Sequence, residues 1–191
     1  MSDMAKSRKE VNNKYMSIYY DAFDEVVDTF RIAGVLGETQ LKLTPINDEA
    51  IAYWKAEWMG RSRRHKHGGD WDWERIVKKS LKRFKKFDLA IWGDGVLCGL
   101  TIGLVTRGRK NVRLNYLQAC PVKHPLETLI ASIAVSVAIA VAQRVGAEHV
   151  AMCNPVNDKV EEHYRKLGFE RKSIYGRHVK NAMYKNVPRR G

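Results

Sequence analysis

The sequence predicts an α/β domain, and four stretches between Val112 and Phe169 carry that prediction. Val112 to Cys120 alternates apolar and polar side chains, the period of a half-buried strand. Leu126 to Val145 has no charge between Glu127 and Arg144, is rich in alanine, and stops at Gly146, a favoured residue just past a helix end. A helix apolar on nearly every face is either buried or membrane-spanning. This run falls short of the uninterrupted apolar length of a span and carries Ser132 and Ser136, so it reads as a helix buried against a sheet. His149 to Cys153 then forms a short strand and Asp158 to Leu167 a polar helix, ending in Leu167-Gly168-Phe169. The order is strand, buried helix, strand, helix.

The flanking elements follow in chain order. A length of 191 residues fits one domain with a real core, preceded by an N-terminal extension over residues 1–39. Residues 1–14 are polar and basic. From Tyr15, the set Ile18, Tyr19, Ala22, Phe23, Val26, Val27 and Phe30 has helical spacing to about Ala33, with Asp21, Asp24, Glu25 and Asp28 on the other face. That acidic face is either solvated or a self-association surface for a homodimer. Gln40 to Ile46 reads as the first strand. Asn47 or Asp48 then caps a helix from Glu49 to Met59 with Ile51, Trp54 and Trp58 on one face. After a basic glycine-ended loop, Asp70 or Asp72 caps a helix reaching about Phe87, with Trp73, Ile76, Val77, Leu81 and Phe84 as its apolar stripe. Asp88 to Trp92, the turn Gly93-Asp94-Gly95, and Val96 to Thr106 form a hairpin. Beyond Phe169, Glu170 to Ile174, a turn at Tyr175-Gly176-Arg177, and Val179 to Val187 form a closing hairpin.

The formal net charge of +13 sets this chain apart from an ordinary globular balance and implies an anionic partner: nucleic acid or another polyanion, a phosphorylated ligand or an acidic protein. The charge is densest in the loop, at Arg61, Arg63, Arg64 and Lys66, and on the helix after it, at Lys78, Lys79, Lys82 and Arg83. These eight are the candidate nucleic-acid-binding residues, with Trp71 placed to stack on a base or to pack in the core. His65 and His67 lack a neighbouring Cys or carboxylate cluster, so no metal is expected. Cys98, Cys120 and Cys153 sit in apolar strands without metal spacing and read as reduced core thiols of a cytoplasmic protein. The polar N-terminus lacks the apolar core of a signal peptide, and no membrane partner is expected.

The chain resembles the GNAT superfamily of N-acyltransferases. The residues that carry the resemblance are Arg144-Val145-Gly146-Ala147 closing the central helix, Asn157 with Tyr164 seven residues on, and Lys166-Leu167-Gly168-Phe169, with the order of elements agreeing over roughly residues 40 to 187. The resemblance implies a mixed, mostly antiparallel sheet of six to seven strands flanked by helices, with an extra N-terminal helix, and a domain over residues 40–191. It also implies acetyl-CoA or another acyl-CoA as cofactor. The acyl-pantetheine arm would lie between two splayed strands, against Leu117, Gln118 and Ala119 on one side and Asn154 on the other. The family's pyrophosphate loop falls on Leu126 to Ala131, with Leu129, Ile130 and Ala131 at the helix N-terminus. Only Ala131 fits that pattern: Leu129 stands where the family has its first glycine, and Glu127 brings a negative charge toward the phosphate position.

The resemblance further implies that Asn157 contacts the cofactor and that Tyr164 is the general acid for the leaving thiolate. The Val112–Cys120 strand has no carboxylate for a general base, only Asn115 and Gln118. His124, an imidazole titrating near neutrality, is the local candidate base, or else caps its own loop. The expected function is transfer of an acyl group, acetyl above all, to an amine on or bound to nucleic acid. The rivals are a non-catalytic nucleic-acid-binding protein of the same shape, an enzyme modifying DNA bases, and a small-molecule acetyltransferase.

Overall fold

A computed structural model describes residues 2–61, 71–80, 85–155, 157–171 and 182–189. Its elements are α1 (Ser2–Ile32), β1 (Leu41–Thr44), α2 (Asp48–Glu57), α3 (Trp73–Ser80), β2 (Lys86–Gly93), β3 (Val96–Val105), β4 (Asn111–Ala119), α4 (Ile130–Val145), β5 (His149–Cys153), α5 (Asp158–Lys166) and β6 (Ala182–Asn186). The strands form one sheet in the order β1-β2-β3-β4-β5-β6, antiparallel throughout except for β4 and β5. A parallel pair needs a long crossover, and the buried helix α4 supplies it. The expected sheet of six to seven strands is present with six. Glu170 bridges Tyr184 on the far side of β6, while residues 172–181 of the expected closing hairpin lie outside the described residues.

The two faces of the sheet are covered by different helices. On one face α1 and α4 pack over Phe87, Leu89, Ile91, Val112, Leu114, Val150 and Met152. On the other, Ala50, Trp54 and Trp58 from the α2 region and Trp73 of α3 pack over Ala90, Trp92, Leu100, Ile102 and Cys120. Helix α4, free of charge ahead of Arg144, is buried along most of its length, as its composition requires. Gly146 ends it in the left-handed conformation, with the Ala147 N–H bonding back to the Ala142 carbonyl. Arg144 ties α4 to α1, donating to the Glu25 carboxylate at 2.6 Å and to the Asp21 carbonyl. Among the described residues no helix is long and apolar enough to cross a membrane.

Three expected boundaries shift. α1 begins at Ser2 rather than Tyr15, although its buried stripe is the expected one: Tyr15, Tyr19, Ala22, Phe23, Val26 and Phe30. α4 begins at Ile130 rather than Leu126. The Leu126 N–H bonds to His124 Nδ1 and the Leu129 N–H to the Leu126 carbonyl, so turns replace the first helical turn. The helix expected to reach Phe87 ends its described part at Ser80, and strand β2 begins at Lys86. Phe87 belongs to the strand because Gly103 opposite it leaves room for the ring: a Cβ there would lie 2.2 Å from the Phe87 ring and 2.9 Å from the Arg113 carbonyl oxygen. Gly103→Ala is therefore expected to cost about 1–3 kcal/mol and lower the melting temperature by several degrees, with partial recovery in the double variant Gly103→Ala/Phe87→Leu. A melting curve superimposable on wild type would refute this packing.

Candidate active site between two diverging strands

β4 and β5 pair over only four positions, Asn111↔His149 to Leu114↔Met152, and then part. The parting coincides with a break in register on the other side of β4. Ile102 of β3 lies opposite Tyr116 and Gly103 opposite Leu114, so Asn115 is one residue extra, a β-bulge. A bulge bends and overtwists its strand, here away from β5 at the residue where pairing stops. It also shifts parity. Val112 and Leu114 share the α4-side core with Leu117 and Ala119, while Cys120 packs on the α3 side and Gln118 bonds Trp73. Past Leu114 the β5-facing edge of β4 has no strand partner among the described residues. Just past β5, Asn154 takes the left-handed backbone (φ 53°), which asparagine tolerates, and turns the chain away.

The gap opens into a cleft of about 1000 Å³. One end is the N-terminus of α4. Leu129 precedes that helix without a side-chain cap, which leaves the Ile130, Ala131 and Ser132 N–H groups without partners among the described residues. Such a terminus favours an anion. Glu127 and Thr128, both exposed, lie at this rim. The far wall is α5, whose polar stripe Lys159, Glu162, His163 and Lys166 has helical spacing and lines the cleft.

Tyr164 completes that wall, and the sequence around it explains why its ring is fixed. Asn157 caps α5, its Oδ1 accepting from the Val160 N–H at 2.9 Å. Gly168, at φ 84°, ends the helix, with the Phe169 N–H bonding the Tyr164 carbonyl and the Gly168 N–H that of Arg165. This closure brings Phe169 back against Tyr164, with ring centroids 6.2 Å apart. Tyr164 is 8% exposed and lines the cleft; among the described residues nothing hydrogen-bonds its hydroxyl. Burial pushes its phenol up to about 12, so it is protonated at neutral pH and available as a donor.

Of the ten residues that the sequence nominated for catalysis and cofactor binding, eight line this cleft: Leu117, Gln118, Ala119, Ile130, Ala131, Asn154, Asn157 and Tyr164. The other two do not. Leu129 packs partly against the core. His124 is buried off the cleft with Nδ1 accepting from the Leu126 N–H, and burial lowers its imidazole, which favours the neutral form. Gln118 has a further task, its Oε1 accepting from the buried Trp73 indole N–H at 2.6 Å, which docks α3 on β4. Burial raises the Cys120 and Cys153 thiols, so neither is an activated nucleophile.

Asn115 was not singled out for the site, yet its signal was present. The apolar positions 112 and 114 change parity to 117 and 119, which an unbroken strand would not do. The polar stripe of α5 was equally readable, once the cleft is known to face it.

The basic set is only partly described: Arg63, Arg64, Lys66, Lys82 and Arg83 lie outside the described residues, as do His65 and His67. Arg61 pairs with Glu57 and Lys78 with Glu74, each one helical turn away. Lys79 is exposed and has no ion pair among the described residues. Trp71 packs edge-on against Tyr116 and Trp73, with centroids 5.1 and 6.0 Å away, and lines the cleft.

No family model and no curated protein sequence matches this chain. Solved structures do. The ribosomal-protein-S18-alanine N-acetyltransferase from Escherichia coli matches with a TM-score of 0.54 and 13% identity, over 79% of this chain and 96% of that one. An aminoglycoside 6′-acetyltransferase type Ii matches at 0.53 and 13%, over 78% and 99%. An acetyltransferase of the GNAT family from Staphylococcus aureus Mu50 matches at 0.57 and 7%, over 78% and 99%. At such identities the likeness concerns the fold.

Proposed function

Starting from a chain with the GNAT fold, we propose that this protein is an N-acyltransferase using an acyl-CoA, acetyl-CoA in the first instance. The observation that carries the proposal is the cleft opened by the Asn115 bulge, which joins an unpaired strand edge, three free helix N–H groups and the Tyr164 phenol. These features fit the donor's parts. The β4 edge beyond Leu114 takes the amides of a pantetheine arm, the α4 N-terminus takes phosphate, and Lys159 and Lys166 add positive charge along the α5 wall. An acyl-CoA supplies a thioester, whose acyl carbon accepts an amine directly.

In the proposed reaction the amine nitrogen forms the new C–N bond as the C–S bond breaks. The Tyr164 hydroxyl gives its proton to the departing sulfur. The nitrogen's surplus proton leaves to solvent, from which the phenol is restored. The net charge of +13 favours an acceptor amine on, or travelling with, a polyanion such as nucleic acid.

Calorimetry with acetyl-CoA tests the proposal. Glu127 sits at the phosphate end of the cleft, so wild type is expected to bind weakly. Glu127→Gln is expected to tighten binding roughly two- to fivefold, the effect of one charge at a helix terminus. No heat with either variant would remove the acyl-CoA reading. In its place would stand a second one, a non-catalytic polyanion binder, which the absence of a carboxylate from β4 favours.

A further inference from the structure

A second cavity, of about 260 Å³, lies beneath α3 on the opposite face of the sheet from α4. Its roof is Ile76, Lys79 and Ser80, and its floor comes from β3, β4 and β5. Three residues, Asn115, Cys153 and Asn154, line both this cavity and the large cleft. The place where β4 and β5 separate therefore borders both, with the donor cleft on one side and a smaller chamber on the other.

The charges in the chamber are of one sign. Among the described residues that line it, Lys79 and Lys86 are the only side chains of fixed charge, and none is a carboxylate. Lys86 is largely neutralised, its Nζ bonded to Asp88 Oδ2 at 2.6 Å with both side chains mostly buried. Lys79 is exposed and unpaired among the described residues, so its ammonium is the free charge at the mouth. A polycationic amine entering this chamber meets repulsion and finds no anion. An amine whose own molecule carries an anion meets an unspent partner. The volume is below that of a pocket for a drug-sized ligand and admits a small molecule or the reacting end of a larger one.

We infer that the acceptor presents a primary amine beside a carboxylate or phosphate, with the anion held by Lys79 and the amine directed toward the cleft at Asn115. The inference rests on the acyltransferase reading for its chemistry, but the chamber's preference for an anion is measurable without turnover.

The test uses matched amines that differ in the anion: β-alanine against β-alaninamide, and phosphoethanolamine against ethanolamine, with spermidine as the polycation. Binding to the full chain is followed by calorimetry or ligand-observed NMR without acyl-CoA, then turnover with acetyl-CoA by release of free thiol. The expected result is tighter binding of the anionic member of at least one pair, by roughly tenfold, and loss of that difference in Lys79→Ala. Lys55→Ala, whose lysine pairs with Glu74 outside the chamber, is expected to keep it. The better pair tells carboxylate from phosphate. Equal binding within both pairs, a preference for spermidine, or a preference that survives Lys79→Ala would overturn the inference. If acetyl-CoA binds but these outcomes appear, the acyltransferase reading stands and this one falls. If acetyl-CoA does not bind while Lys79 still selects the anionic amine, the anion site stands and its role for an acceptor falls with the acyltransferase reading.

Discussion

Tyr164→Phe is expected to slow acyl transfer by roughly a hundredfold or more while leaving acyl-CoA affinity within a factor of about two. The hydroxyl is the only atom removed, and among the described residues it holds no other element in place. The ring stays where it is, packed on Phe169 by the Gly168 turn, so the variant should melt with wild type. Loss therefore falls on the step in which the sulfur needs a proton, seen as a fall in kcat with little change in binding. The pH dependence has a definite sign. Burial raises this phenol to about 12, so it keeps its proton throughout the neutral and mildly alkaline range. Any limb of the rate profile between pH 6 and pH 10 then belongs to another group and should persist at reduced amplitude in the variant. Unchanged turnover would take the general-acid role away from Tyr164.

Deleting Asn115 is expected to close the cleft more completely than any substitution in it. Without the extra residue β4 alternates strictly, which keeps Val112, Leu114, Leu117 and Ala119 on the α4 side and removes the bend that parts β4 from β5. Gln118 stays on the α3 side as the acceptor of the buried Trp73 indole, so the fold is expected to hold. Acetyl-CoA binding is expected to fall by roughly tenfold or more, with the melting temperature within about five degrees of wild type. Should the shortened chain fail to fold, Asn115→Gly separates the bulge from its side chain. It keeps the residue count, and is expected to keep both the fold and acetyl-CoA binding to within a few-fold. A deletion variant with wild-type stability and ligand binding would mean that the register break does not shape the cleft.

The parts of the fold legible in the sequence were those where one physical signal dominated. The charge-free run ahead of Arg144 has no stable place except inside, and α4 is buried. Asp94-Gly95 is a turn because both residues adopt positive φ between paired Gly93 and Val96. Asp158 to Leu167 reads as a polar helix stopped at Gly168, and helix and stop both stand in the structure, where Asn157 proves to be the cap. What stayed hidden depends on distant partners. Helical spacing through Leu81 and Phe84 gave no warning that Phe87 is claimed by a strand, because the space for its ring is made by Gly103 across the sheet. His124 looked like a base because an imidazole near neutrality is suggestive, but its surroundings bury it and give its nitrogen to Leu126. The acidic face of α1 reads as a surface in isolation, yet Glu25 is bonded to Arg144.

Four residue pairs hold β4 to β5, and they are the main weld between two parts of the sheet with different assembly histories. β2, β3 and β4 follow one another as local hairpins, which close early because little chain entropy is lost in each. β5 with β6 can dock only after α4 has been laid across the sheet, a non-local event. The cleft is thus a joint between these two parts of the sheet as well as a site. A molecule that touches both walls acts as a rivet: it binds only the docked form and, by mass action, shuts the joint that the sheet itself leaves weakly fastened.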